Sequence, residues 1–217
     1  MQCNKMISNI NGIGFPYSGE RDRCSVDYVF RLLDQLRNTL CGKGVFCRDA
    51  ASQLYSIVGS IRGGEGKSGD VGLIREICQA SLQLADCEMT REAVKEILSL
   101  LDTDGENWDA HITRRRCPSL SCESLTIFYI DPAVCDGCGK CTDICPESAI
   151  GGSPALIHVI DREVCTRCAA CEPVCPVSAI KRADVAGVPP KTPDAPVPVG
   201  SFKAEPVRKG LRKGLRP

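Results

Sequence analysis

The sequence is poor in aromatic residues, long apolar runs and net charge. Aromatic residues make up 5% of its 217 residues, with a single tryptophan, although 43% are hydrophobic. This composition suits several small units better than one large core. No apolar run reaches the ~18 residues that suggest a membrane-spanning helix, and the start, MQCNKMISNI, lacks the apolar stretch of a signal peptide. We therefore expect a cytoplasmic protein of one or two small domains without a membrane span.

Basic and acidic residues balance at 27 each, so the overall charge predicts no nucleic-acid partner. Cysteine, in contrast, is unusually frequent, with 16 residues. Disulfides are rare in a reducing compartment. Metal ligation is therefore the expected use of these cysteines, and their spacing indicates the metal.

The chain divides into segments of different character. Apolar residues at helical spacing predict a small helical bundle with a short additional helix near 48–58, and Thr90 is expected to cap the bundle's last helix. Half of the 14 prolines fall after residue 182, which predicts a disordered, basic tail. In chain order we expect an N-terminal segment, the bundle, a linker, a cysteine-rich domain and the tail (1–23, 24–104, 105–124, 125–182 and 183–217).

The cysteine-rich domain contains an internal repeat. IDPAVCDGCGKCTDICPESAI is followed by IDREVCTRCAACEPVCPVSAI, so C-x2-C-x2-C-x3-C-P occurs twice. Each repeat is expected to form a strand, a cysteine-rich turn, a short helix and a return strand. Three cysteines on one tight turn can bind three irons of a cubane cluster, whereas the fourth lies beyond that reach and binds the other cluster.

This spacing predicts two [4Fe-4S] clusters with crossed ligands in a ferredoxin-like pseudo-twofold domain. The expected ligands are Cys135, Cys138, Cys141 and Cys175 for cluster 1, and Cys165, Cys168, Cys171 and Cys145 for cluster 2. A pair of zinc knuckles is the alternative, but three cysteines at successive x2 spacing followed by C-P are not typical of zinc sites. His158, in LIHVID, is expected in a strand near the clusters; tuning of a cluster potential by its hydrogen bond is the less favoured interpretation.

Three segments upstream of the repeats resemble one known family. CSVDYVFRLLDQLRNTLCGKGVFCR, LQLADCEMT and WDAHITRRRCPSLSC are similar, in this order, to the C-terminal half of the flavin-binding, NADH-oxidising subunit of complex I. The version in soluble NAD-linked and electron-bifurcating hydrogenases and formate dehydrogenases is the most similar. The resemblance runs from about Gly12 to Ile180. The family's flavin- and NADH-binding half has no counterpart here, so the resemblance implies an electron conduit with no flavin or NAD on this chain.

The resemblance implies a further cluster site that has lost one ligand. The family pattern S-C-G-K-C-x-P-C-R lies over LCGKGVFCR, which leaves ligands at Cys41, Cys47 and Cys87 but places Gly44 at the fourth position. Because glycine has no donor atom, an empty site is the favoured interpretation. The alternatives are a three-iron cluster, a cubane with an outside ligand, or rescue by a displaced cysteine (Cys78 or Cys3).

The resemblance also covers Cys24, His111, Cys117 and Cys122. Three thiolates and one imidazole suit a closed structural zinc site, and one loop would supply three of the ligands. We expect this candidate zinc site to tie the start of the bundle to the linker, which would otherwise be loose. The alternative is a set of scattered thiols with His111 at the end of a helix.

These features predict an α+β protein that acts as a non-catalytic iron–sulfur electron-transfer subunit. The complex would be a cytoplasmic NAD(P)H-, hydrogen- or formate-linked oxidoreductase. Expected partners are flavin- or NAD-binding subunits and hydrogenase- or dehydrogenase-type subunits, with ferredoxin as a further candidate. The alternatives are a free-standing ferredoxin-like carrier and a redox-sensing or assembly protein. The bundle favours membership of a complex, because a free carrier needs only ~60 residues.

Overall fold

The computed structural model describes residues 24–186 and 191–202. They form two units, each built mainly from one continuous part of the chain (24–127 with 182–186, and 128–181 with 191–202). The predicted N-terminal segment, including Cys3, and the end of the predicted tail lie outside the described residues. No helix in the described ranges combines the length and apolar character needed to cross a membrane.

Unit 1 is a helical bundle around one hydrophobic core. Its helices are α1 (Ser25–Thr39), α2 (Val45–Arg62), α3 (Asp70–Leu84), α4 (Glu88–Thr103) and α5 (Gly105–Thr113). Apolar residues recur every three or four positions along these helices and meet in the core, where Leu32, Leu54 and Ile97 are fully buried. The predicted stripes lie on α1, α3 and α4, and the short helix expected near 48–58 is the longer α2.

One local expectation in unit 1 is wrong. Helix α4 begins at Glu88, and its first backbone hydrogen bond runs from the Arg91 N–H to the Cys87 carbonyl at 3.1 Å. Cys87 is therefore the N-cap residue, and Thr90 is buried inside the first turn. The first half of the expected linker forms α5, whose Trp108 is 1% exposed and belongs to the core.

Unit 2 contains short strands and one short helix. After α5 and a short 3-10 helix (Glu123–Leu125), the elements are β1 (Thr126–Ile130), α6 (Lys140–Ile144), β2 (Ile150–Gly151), β3 (Leu156–Ile157), β4 (Val159–Ile160), β5 (Ile180–Asp184) and β6 (Val197–Pro198). The pairs are β1 with β5, β2 with β4 and β3 with β6. β2 and β4 are antiparallel with Ile150 opposite Ile160. The predicted short helix forms in the first repeat as α6, whereas the described second repeat has turns at this place.

The internal repeat is visible in the hydrogen bonds of unit 2. The Asp131 N–H donates to the Ala179 carbonyl at 2.8 Å, and thirty residues later the Asp161 N–H donates to the Ala149 carbonyl at 2.8 Å. The start of each repeat is thus bonded to the end of the other. This exchange brings the last cysteine of each repeat towards the other repeat's turn.

Residues 191–202 differ from the predicted disordered tail. β6 pairs antiparallel with β3, with Ile157 opposite Val197, and the Val199 N–H donates to the Ala155 carbonyl at 3.0 Å. Proline is accepted on an edge strand such as β6, where one side of the backbone needs no partner.

Candidate iron–sulfur and metal sites

The two predicted sets of crossed cysteines each line one cavity of unit 2. The first cavity has an empty volume of about 280 Å³ and the second about 350 Å³. Cys135, Cys138, Cys141 and Cys175 line the first. Cys145, Cys165, Cys168 and Cys171 line the second. In both cavities three sulfur-bearing residues come from one turn and the fourth from the other repeat.

The turns that carry the cysteines use left-handed backbone at matching positions. Gly137 and Gly139 have φ of +74° and +80°, and their counterparts Arg167 and Ala169 have φ of +63° and +61°. A Cβ on Gly137 would lie 2.9 Å from the Ala155 backbone, so the first turn requires glycine there. Left-handed residues alternating along a chain turn successive N–H groups inward and form an anion-binding concavity. Arg167 and Ala169 adopt this unfavourable conformation without glycine, which indicates a functional constraint on the turn.

The crossing cysteines accept a backbone hydrogen bond in the same way in both repeats. The Ala149 N–H donates to Cys145 Sγ at 3.3 Å, and the Ala179 N–H donates to Cys175 Sγ at 3.2 Å. Such bonds orient a ligand sulfur and stabilise negative charge on it. The third cysteines of the two repeats also behave alike, because burial raises the pKa of both Cys141 and Cys171 to about 11. Iron binding would have to displace their protons.

A second cluster of potential ligands lies in unit 1. The donor atoms of Cys24, His111, Cys117 and Cys122 lie within 4.8 Å of one another, and all four side chains are buried. The Cys24 Sγ to His111 Nε2 distance is 3.3 Å, His111 Nε2 to Cys122 Sγ is 3.4 Å, and Cys122 Sγ to Cys24 Sγ is 3.7 Å. Tetrahedral zinc with Zn–S of about 2.3 Å and Zn–N of about 2.0 Å requires S···N near ~3.5 Å and S···S near ~3.8 Å. The donor set therefore fits a zinc ion.

The histidine of this cluster is oriented by its own helix. His111 Nδ1 lies 2.7 Å from the carbonyl oxygen of Asn107, one turn earlier in α5. An N–H at Nδ1 donates to that oxygen, so Nε2 is the ring nitrogen that faces the Cys24 and Cys122 sulfurs, as the ligand nitrogen does in protein zinc sites. Asn107 also donates from Nδ2 to Ser25 Oγ at 3.2 Å, next to Cys24. Asn107 was not predicted from the sequence, although its place four residues before His111 on one helix was the available signal.

The electrostatics of the four groups favour a cation among them. Hydrogen bonds from the Cys122 and Cys24 thiols hold the pKa of Cys117 far below its usual range. Burial lowers the pKa of His111, but hydrogen bonds with Cys117 and Cys24 outweigh it and raise the value to about 10. Hydrogen bonds with Cys117 and Cys24 in turn raise the pKa of Cys122. A negative charge on Cys117 is therefore balanced by a proton on His111, which a metal ion would replace.

The residues of the predicted degenerate site lie in unit 1, at the beginnings of two helices and in one connection between helices. Cys47 lies in the first turn of α2 and Cys87 is the N-cap of α4, and both are buried in the core. Cys41 is exposed in the connection between α1 and α2. Gly44 is the N-cap of α2 and supplies no side chain. Cys78 is fully buried in α3, and burial raises the pKa of its thiol to about 12.

Comparison with known proteins gives one family match in each of two parts of the chain. Residues 27–111 match the NADH-ubiquinone oxidoreductase-F iron-sulfur binding region, and residues 134–179 match a 4Fe-4S dicluster domain. The HndC subunit of the NADP-reducing hydrogenase of Solidesulfovibrio fructosivorans is 33% identical over 150 residues, which cover 69% of this chain and 31% of that protein. The F 2 subunit of the NADH-quinone oxidoreductase of Rhizobium meliloti (strain 1021) is 26% identical over 95 residues, which cover 44% of this chain and 23% of that protein.

The chain spans less than a third of the length of these two relatives. The matches confirm the predicted resemblance over the bundle and over the cysteine repeats. Residues 27–111 therefore correspond to an NADH-ubiquinone oxidoreductase-F iron–sulfur binding region and residues 134–179 to a 4Fe-4S dicluster domain, and over the matched part the chain is homologous to HndC and to the F 2 subunit.

Proposed function

We propose that this chain is a non-catalytic electron-transfer subunit that holds two [4Fe-4S] clusters in a ferredoxin-like, pseudo-twofold unit 2. The observation that carries the proposal is that each crossed set of four cysteines lines a single cavity. The assigned ligands are Cys135, Cys138, Cys141 and Cys175 for cluster 1, and Cys165, Cys168, Cys171 and Cys145 for cluster 2. The match to a dicluster domain supports the same number of clusters.

The chain's own groups suit this cofactor. Thiolates are the protein ligands of cubane clusters, and a bound [4Fe-4S] cluster supplies a one-electron carrier whose potential the protein tunes. The left-handed turns direct N–H groups inward, and the Ala149 and Ala179 amides orient the crossing sulfurs. Buried isoleucines, including Ile130, Ile157 and Ile160, pack around the cysteines and limit access of water. Exclusion of water would lower the potential of such a cluster, whereas the inward N–H groups would raise it.

In unit 1 we propose a structural zinc ion bound by Cys24, His111, Cys117 and Cys122. The distances and the orienting Asn107 carbonyl support this proposal. The ion would connect the start of α1 to the end of α5 and to the segment after it. The residues Cys41, Cys47 and Cys87 are proposed to hold no cluster, since Gly44 removes the fourth ligand.

The proposed setting is a cytoplasmic oxidoreductase with several subunits. HndC is named as a subunit of an NADP-reducing hydrogenase, which supports partners that carry flavin, NAD or a hydrogenase-type centre; ferredoxin is a further candidate. All the described cysteines are free thiols rather than disulfides, which suits a reducing compartment. We propose no NADH oxidation by this chain alone.

Anaerobic purification of the tagged chain from its source cells tests the proposal. We expect brown protein with iron and acid-labile sulfide for two [4Fe-4S] clusters, a paramagnetic signal on reduction, and co-purifying flavoprotein or dehydrogenase subunits. Colourless protein without iron or sulfide would refute the cluster proposal. Protein that contains the clusters but purifies as a monomer would instead favour a free carrier. Association with a transcription factor or nucleic acid would favour a regulator.

A further inference from the structure

His158 is a buried side chain with two unpaired polar atoms. It is 2% exposed, and neither Nδ1 nor Nε2 has a hydrogen-bond partner within the described part of the chain. An unpaired buried donor destabilises a folded protein, so a native protein retains one mainly where a ligand or water satisfies it. The imidazole therefore indicates a missing partner beside it.

The imidazole borders the first cysteine cavity. His158 lines this cavity together with Cys135, Cys138, Cys141 and Cys175. A Cβ on Gly139, between Cys138 and Cys141, would lie 4.0 Å from His158 Nε2. The ring nitrogen therefore lies beside the turn that carries three of the proposed cluster ligands.

The backbone makes room for this ring. A Cβ on Gly152 would lie 2.3 Å from His158 Cδ2 and 2.8 Å from Nε2. Any side chain at position 152 would displace the imidazole. The ring also borders a second, small pocket, whose lining includes Arg162 and Thr192. A water there would partner whichever nitrogen faces away from the cysteines.

The internal repeat provides a comparison within the same molecule. TIFYID (126–131) corresponds to LIHVID (156–161), so His158 occupies the position that Phe128 holds in the first repeat. Phe128 lines the second cysteine cavity. The two cavities therefore differ at equivalent positions, with a side-chain N–H donor beside the first and an apolar ring beside the second.

We infer that His158 donates a side-chain hydrogen bond to the cluster held by Cys135, Cys138, Cys141 and Cys175, and thereby makes it the more easily reduced of the two clusters. The inference rests on the proposed function in that it requires a cluster in this cavity. Reduction adds negative charge to the cluster, and an N–H aimed at its sulfur stabilises that charge, so the potential rises. Phe128 supplies no such donor, and electrons would collect on the His158 side of unit 2.

Substitution by the residue that the other repeat uses gives the sharpest experiment. His158→Phe should lower the midpoint potential of one cluster in EPR-monitored redox titrations of the full chain and leave the other unchanged. Cys138→Ser and Cys168→Ser variants identify which signal belongs to which cavity. Pulsed ENDOR of the reduced protein in H2O and D2O should show an exchangeable proton coupled to the first cluster that disappears in His158→Phe. His158→Asn keeps an N–H donor. The midpoint potential of its first cluster should therefore lie closer to the wild-type value than that of His158→Phe, and its proton coupling should be stronger.

The outcomes separate this inference from the proposed function. Wild-type protein without iron would refute the clusters themselves. Full iron content with identical potentials and unchanged proton coupling in wild type and His158→Phe would refute the hydrogen bond alone. If His158→Phe loses one cluster, the His158→Asn variant provides the test instead. A proton coupling retained in His158→Asn supports the donor role of position 158, whereas iron-loaded His158→Asn without this coupling overturns it.

Discussion

A Cβ placed on Gly44 would lie 3.3 Å from the Sγ of Cys47. The predicted position of the missing donor therefore lies next to Cys47, one of the three cysteines that the resemblance assigns to this site. Gly44 caps α2 and Cys47 lies in that helix's first turn, so a side chain at position 44 would lie beside the Cys47 sulfur.

Gly44→Cys should restore a cluster in unit 1. The new thiolate would complete the set with Cys41, Cys47 and Cys87, after Cys47 moves by a few tenths of an ångström to relieve the close contact. Iron and sulfide content after anaerobic reconstitution should rise by about one four-iron cluster. Gly44→Ser is the matched control, because it adds similar bulk without a thiolate. Equal iron content in wild type and both variants would show that more than one donor is missing.

Cys78→Ala should leave the iron content of the wild-type protein unchanged. Burial raises the pKa of the Cys78 thiol to about 12, so at neutral pH it is a neutral, small apolar group in the core. Such a thiol is a poor replacement for the ligand lost at Gly44. A loss of iron in Cys78→Ala, with circular dichroism as for wild type, would instead identify Cys78 as a ligand.

His111→Gln should release zinc and destabilise unit 1. The substitution removes Nε2 from the four-ligand cluster, whose donor atoms lie within 4.8 Å of one another. A structural zinc ion contributes its binding free energy to folding, so the loss should exceed the ~1 kcal/mol typical of a point mutation. Metal analysis and urea unfolding measure the two effects. Cys41→Ser, which changes an exposed cysteine outside this cluster, is the control and should retain the metal and the stability.

The parts that sequence predicted well are those with strong local patterns. Stripes of apolar residues predicted α1, α3 and α4, because a period near 3.6 is recognisable over four turns. α5 was missed because it has nine residues and only one large core side chain, Trp108. Strands such as β2 and β6 have two residues each, which is too short for an alternating pattern. Their positions follow from pairing with distant residues.

The sites show the same difference between local sequence patterns and contacts of distant residues. The proposed cluster ligands have a spacing that is informative by itself, and each predicted set lines one cavity. Cys24 and His111 are separated by 87 residues, so only a family resemblance brought them together in the sequence. His158 was predicted near the clusters and its equivalence to Phe128 is visible in the repeat, but its unpaired nitrogens and the cavity that each ring lines depend on the three-dimensional arrangement.

Cys138→Ser and Cys168→Ser should each remove or degrade one cluster and leave the other. The two cysteines are exposed and occupy equivalent positions of the two repeats, so each variant is the control for the other. Single-turnover reduction of the complex should show that electrons no longer pass through the chain in either variant. Circular dichroism of the bundle should not change, because both substitutions lie outside unit 1. Undiminished through-transfer in both variants would contradict a relay that uses the two clusters in series.

Trp108→Ala should destabilise unit 1 by about 3–5 kcal/mol, the usual cost of truncating a buried aromatic residue. Trp108 is 1% exposed and belongs to the bundle's core, so its removal leaves a cavity between α5 and its neighbours. Leu84→Ala is the control, since Leu84 is 49% exposed at the end of α3 and its truncation should cost no more than about 0.5 kcal/mol. Urea unfolding followed by helical circular dichroism measures both, with zinc content checked in each variant. Equal stability of the two variants would mean that the segment after α4 does not pack on the bundle, and the zinc ligands on it would then lack their fixed support.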